Sequence, residues 1–193
     1  MGVKLVSASG GSVEINPPAT ASSFTATMPA GTGNVVVAGI NSAIVSGTAQ
    51  ASTSGTSIDF TGIPSWVKRI TVMFNGVSTN GSSAIIVQLG DSGGVETTGY
   101  NSTAQNANNA GADYSTGFPI NNGSAASLAY SGLLTIALLG TNGWVFNSMM
   151  RAAGFVLFGA GQKSTSDTLD RVRITTVNGT DTFDAGSINI LYE

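Results

Sequence analysis

The chain has 193 residues, 9 % of them charged, a formal net charge of −3, and neither cysteine nor histidine. An ordinary globular chain is about 25 % charged; here Ser, Thr, Asn and 26 Gly take the place of the missing charge. Disulfides, thiolate metal sites, cysteine nucleophiles and Ser–His–Asp triads are thereby excluded, and with Lys68–Arg69 as the one basic cluster, electrostatic binding of nucleic acid is not expected.

Residues 1–40 read as thin β structure. Val13 and Ile15 alternate with polar neighbours until Pro17–Pro18, which cannot donate to a ladder. Phe24, Ala26 and Met28 alternate with Ser23, Thr25 and Thr27, and Val35 to Val37 follow a Pro29–Gly33 break. So small a unit is marginal alone. Residues 41–57, "NSAIVSGTAQASTSGTS", are small and polar and read as a linker or a lightly packed edge.

From Ile58 the pattern thickens into a domain over 58–193. "VKRITVMFNG" puts Ile70, Val72 and Phe74 on one face of a strand. "AIIVQLG" and "VETTGY" read as further strands. The long polar stretch Asn101–Gly117 shows no period and reads as a loop. "LLTIALLG" and "WVFNSMMR" form a hairpin turning at Asn142–Gly143, "AAGFVLFGAG" is another strand, and "TLDRVRITTVNG" with "AGSINILYE" reads as a last hairpin. Asn-Gly begins at positions 75, 80, 122, 142 and 178, and this pair suits type I′ turns because both residues tolerate positive φ. Short strands between such turns predict an all-β antiparallel sandwich of jelly-roll type. No apolar run is long enough for a membrane span.

The chemistry legible in this pattern is sparse. "GAGQKST" has Gln162 where a phosphate loop needs glycine before its lysine, so it reads as a hairpin loop with a solvated Lys163. Asp167, Asp170, Asp181 and Asp184 would be the carboxylates of a glycosidase, but turns favour Asp for local hydrogen bonds. Arg171 and Arg173 share a strand face and are expected to pair with Asp. The EF-hand spacing is absent, and no metal, cofactor or enzymatic activity is expected. The best binding candidate is the Asn101–Gly117 loop with Tyr100. Tyr100, Asn101, Gln105, Asn106, Asn108, Asn109, Asp113 and Tyr114 combine planar amides with aromatic rings, a set suited to sugars. Trp66 and Trp144 are expected in the core or at a subunit contact.

"GGSVEINPPATASSFTATMPAGTGNVVVAG" resembles a segment common in tailed-bacteriophage structural proteins: a strand, a Pro-Pro-Ala-Thr step, a Thr-rich alternating strand, then Pro-Ala-x-Thr-Gly. "GTSIDFTGIPSWVKRITVMFNGVSTNGSS" and the ending "DTFDAGSINILYE" are similar to an all-β module of phage tail-fibre and related virion proteins. The resemblance implies a homotrimer whose first segment, residues 1–40, intertwines as a β-prism or spike and docks on capsid or tail proteins. Val13, Ile15, Phe24, Met28, Val35 and Val37 are too few for a private core, and three copies around an axis would bury them together. It further implies a non-enzymatic short fibre, spike or capsid decoration on the virion exterior, made in the host cytoplasm without a secretion signal. The alternative is a receptor-binding module that holds host-surface glycan through the 100–117 loop.

Overall fold

The structure is a computed structural model that describes residues 3–6, 9–10, 12–15, 44–106, 111–123, 125–126 and 128–193. The chain divides into two compact units, Met1–Val35 and Val36–Glu193. In the first, β1 (Val3–Val6) pairs antiparallel with β2 (Ser12–Ile15), setting Leu5 against Val13 and Lys4 against Glu14. Val13 and Ile15 therefore lie on a two-stranded ribbon whose first strand the sequence pattern did not reveal. Phe24, Met28, Val35 and Val37 lie outside the described residues.

The second unit is an all-β antiparallel sandwich, as its alternating pattern predicts. Its strands are β3 (Val45–Ser46), β4 (Gln50–Ala51), β5 (Ser57–Thr61), β6 (Arg69–Thr79), β7 (Ile85–Asp91), β8 (Gly94–Val95), β9 (Asn101–Asn106) and β10 (Ala112–Tyr114). They are followed by β11 (Phe118–Pro119), β12 (Tyr130–Gly140), β13 (Gly143–Ala152), β14 (Phe155–Ser164), β15 (Arg171–Thr176) and β16 (Phe183–Tyr192). The large sheet runs β10-β9-β14-β13-β12-β6-β16-β3, with β4 also on β16; the small sheet runs β11-β7-β15-β5, with β8 on β7.

One core lies between them. Ile70, Val72 and Phe74 face inward from β6, as the period of two predicts, and Leu134, Ile136, Phe146 and Met150 join them. Val87, Leu89, Val172 and Ile174 close the core from the small sheet. Trp144 is buried with them, whereas Trp66 stays partly exposed and tilts against Tyr192 with ring centroids 5.9 Å apart.

Several sequence expectations change. The stretch read as a linker is hydrogen-bonded edge from residue 45 onward: β3 and β4 pair with β16, and the buried Ser52 donates its hydroxyl to the Ala185 carbonyl at 2.8 Å. Of "VETTGY" only Val95 is strand, as the second residue of β8. The expected last hairpin does not form, because β15 belongs to the small sheet and β16 to the large one. Both strands alternate, and alternation cannot say from which side a strand faces the core. The connection between them is a crossing turn tied to the β6–β7 crossing. Asp181 accepts from the Ser83 amide at 2.9 Å, and the Thr182 amide donates to Asn80 Oδ1 at 2.9 Å.

Asn142–Gly143 turns the β12–β13 hairpin, with Asn142 at φ 61°. Asn75–Gly76 instead lies inside β6, where the ladder to β16 is irregular. Gly76 (φ 65°) and Gly186 (φ 95°) use their left-handed backbone to make this bulge, not a turn. A Cβ on Gly186 would stand 2.5 Å from the Gly76 carbonyl oxygen and 2.7 Å from that of Asn75. Gly186→Ala is accordingly expected to lower the unfolding free energy by about 2–4 kcal/mol. Urea denaturation of the two proteins side by side measures it, and an unchanged midpoint would show that the bulge relaxes freely.

Candidate functional site

The Asn101–Gly117 stretch is not a loop. β9 pairs with β14 on one side and with β10 on the other, so most of it is a hairpin extending the large sheet. Its polar side chains hid the alternation: Ser102 and Ala104 point inward as buried residues. The Ser102 hydroxyl is shared between the carbonyls of Tyr114 and Gly117, at 2.9 and 2.8 Å, and pins the two arms. Thr103 donates across to Asp113 at 2.5 Å.

The sugar-binding set is split by this geometry. Tyr100 is buried, so its ring cannot present a face to a sugar. Its hydroxyl accepts from the Leu89 amide at 2.7 Å and donates to the Glu96 carbonyl at 3.0 Å, and burial pushes its pKa well up. Asn101 and Asp113 are exposed, Asn106 and Tyr114 half-buried, and Asn108 lies outside the described residues. Burial, and after it Tyr130, raises the Tyr114 phenol.

Beside Tyr100 stands a cluster that no local motif announces. Lys163 is on β14, not in a solvated loop, and is buried. Its ammonium pairs with the Glu96 carboxylate, donates to the Ser164 carbonyl at 2.7 Å and lies 5.5 Å from the Tyr100 ring centroid. Glu96 also accepts from the Ser166 amide at 2.6 Å, while the Ser166 hydroxyl donates to Asp91 at 2.6 Å. Burial alone would raise Glu96; the Lys163 ammonium and the Ser166 donors outweigh it and hold the carboxyl below its ordinary 4.5. The Ser166 hydroxyl, then the Gly93 amide, hold Asp91 below its ordinary 3.8. The hydrogen bonds converge on one another, so the cluster ties the β7–β8 turn to β14 and to the approach to β15.

These shifts have a pH consequence. Asp91 and Glu96 titrate lower in the folded chain than in the unfolded one, so the unfolded chain binds protons first as acid is added. The stability they contribute is whole above their ordinary values of 3.8 and 4.5, and is lost as pH falls through the lower folded-state values. Urea midpoints measured from pH 7 down to pH 3 are expected to fall in that window, and to fall less in Glu96→Gln. Equal slopes in both proteins would contradict the assignment.

The remaining carboxylates have structural partners. Asp170 holds Arg171 at 2.6 Å on the neighbouring residue, Asp59 holds Arg173 across the β5–β15 ladder at 2.7 Å, and Asp184 accepts from Ser78. Asp167 accepts from the Thr168 amide at 2.7 Å. The bonds from Asp170 and Asp59 raise the two guanidinium groups above their ordinary value. Among the described residues no three His, Cys, Asp or Glu converge to hold a metal, and no helix is long and apolar enough to cross a membrane.

Two accessible surfaces among the described residues bear on function. A polar groove of about 400 Å³ on the small sheet is lined by Gln88, Thr97, Thr116, Arg173 and Thr175, among others. On the large sheet, the outward positions of β12, β13 and β14 include Leu133, Val145, Met149, Val156 and Phe158, all exposed. The signal for the second was in the sequence: "FVLF" and "WVFNSMM" place apolar residues at odd and even positions, which a strand with one solvated face does not need. No protein-family model, curated protein or solved structure matches the chain.

Proposed function

We propose that the chain is a non-enzymatic structural protein of a tailed-phage virion, a homotrimeric short fibre, spike or capsid decoration. Residues 1–40 dock it on capsid or tail proteins, and the sandwich faces outward. The observation that carries this reading is the pairing of a sandwich from a chain only 9 % charged with an N-terminal segment bearing the virion-protein motifs. Such a surface suits close contact between like chains, because little charge has to be desolvated. Antibody-gold labelling of purified virions tests it, with label expected at regular positions on head or tail. Virions that carry no label, together with a strictly monomeric protein, would end the proposal.

The polar groove favours a second reading, recognition of host-surface glycan. Its hydroxyl, amide and guanidinium groups are donors and acceptors of the kind that sugars bind, and Thr116 belongs to the stretch that carries the exposed Asn101 and the half-buried Tyr114. Host-cell adsorption of the purified protein, lost in Tyr114→Ala, is the expected result; blank glycan arrays and blank cell binding would count against it.

A further inference from the structure

We propose that a groove at one edge of the sandwich, between β5 and the β3–β4 segment, is a binding site for a neutral saccharide. The proposal extends the glycan reading above to a separate site, since this groove shares no lining residue with the one on the small sheet.

The groove follows from how the two sheets end. β5 is the last strand of the small sheet, and β3 and β4 are the last of the large one. The Gly47 amide donates to the Ile190 carbonyl at 2.8 Å, and a Cβ on Gly47 would stand 2.9 Å from the Ile190 side chain. Glycine therefore lets this wall lie close against β16. Across the gap, the Gln50 side-chain amide donates to the Asp59 carbonyl at 2.7 Å. A cavity of about 270 Å³ remains between the walls. Its floor is made by Phe60, Ile63 and Ile190 of the core, and Tyr192 carries that floor outward. Tyr192 is half-buried, two residues beyond Ile190 on β16, and Trp66 supports its ring at 5.9 Å between centroids. The rim is polar. The hydroxyls of Thr48, Thr61 and Tyr192 have no hydrogen-bond partner among the described residues, and Gln50 keeps its side-chain oxygen as an acceptor.

Three features select the ligand. The first is charge. Asp59 is the one charged residue among the described residues of the lining, and Arg173 donates to both of its carboxylate oxygens at 2.7 Å. An ionised ligand meets no uncompensated charge here. The second is the backbone. A peptide adding itself as a strand would need the outer edge of β5, where Gln50 already takes the Asp59 carbonyl in mid-strand. The third is the match of surfaces. A sugar ring has an apolar C–H face and a rim of hydroxyls that donate and accept, which suits an aromatic-edged floor beneath hydroxyl and amide groups. The cavity lies near the lower end of ordinary ligand clefts, about 300–1,000 Å³, a size for a ring or two.

Ligand-observed NMR of the full-length protein with glucose, galactose, mannose, N-acetylglucosamine and glucuronate at millimolar concentration tests this. At least one neutral sugar is expected to bind saturably, and glucuronate no more tightly than that sugar. Tyr192→Ala is expected to weaken binding about tenfold or more. Because Tyr192 also packs on the core, Thr48→Met is the companion variant. It removes a rim hydroxyl and lengthens the side chain at an exposed position of the groove wall, and is expected to keep the melting transition while weakening binding about as much. Tyr114→Ala is expected to leave this binding unchanged. Binding that is lost in Tyr114→Ala and kept in Thr48→Met would overturn this site and leave the small-sheet groove as the glycan site. Glucuronate binding more tightly than every neutral sugar would overturn the ligand class. Saturable binding by none of the neutral sugars would overturn the proposal, while host-cell adsorption remains the separate test of the small-sheet groove.

Discussion

Phe118→Ala is expected to lower the unfolding free energy by about 3–5 kcal/mol, the largest cost of any single truncation in the core. Phe118 is fully buried on β11, stacked on Phe146 at 4.2 Å between centroids and edge-on to Tyr100 at 5.1 Å. β11 is a two-residue strand, so little backbone pairing holds it once the ring is gone. The truncation also takes support from Tyr100, whose hydroxyl accepts from the Leu89 amide. Aromatic pairing adds about 0.5–1.5 kcal/mol to simple burial, so Phe118→Leu is expected to recover much but not all of the loss. Urea denaturation reads this directly as a lower midpoint at an unchanged slope. A cost below about 1 kcal/mol would mean that the cavity collapses and that the ring trio does not anchor this end of the sandwich.

The second large effect concerns Lys163. Lys163→Met leaves the mostly buried Glu96 carboxylate without its ammonium partner, and breaking such a pair costs about 3–5 kcal/mol because one charge stays behind uncompensated. Lys163→Met/Glu96→Gln is expected to be more stable than Lys163→Met alone. The second change removes the stranded charge and keeps an acceptor for the Ser166 amide. That inversion is the diagnostic, since two unrelated lesions would add. A double variant less stable than the single one would place the energy of Lys163 in its contact with the Tyr100 ring, not in the ion pair.

These two sites differ in how far a reader of the sequence could have found them. Ile70, Val72 and Phe74 announce their strand, and Asn142–Gly143 announces its turn, because period and turn chemistry act over a few residues. The hairpin β9–β10 escaped because its inward residues are Ser102 and Ala104, small enough to pack under β11 and too polar or slight to register as a core face. Lys163 escaped because its partner Glu96 reaches it only through the pairing of β14 with β9 and the short β8 turn. Tyr100 was read as a binding residue because an aromatic beside amides looks like a sugar site; burial, a long-range property, makes it a structural one.

The sequence by itself determined the local grammar of this protein. It contains strands because apolar and polar residues alternate, chain reversals because Asn-Gly tolerates positive φ, and a surface sparse in charge because only 9 % of its residues are charged. Only the tertiary structure decided that β15 and β16 lie in opposite sheets, that Asn75–Gly76 is a bulge, and that Lys163 is buried against Glu96. It also decided which alternate residues of β12, β13 and β14 face outward as an apolar row. Alternation is the same whichever side of a sandwich a strand faces, so sheet membership and the sidedness of a face follow from partners distant along the chain.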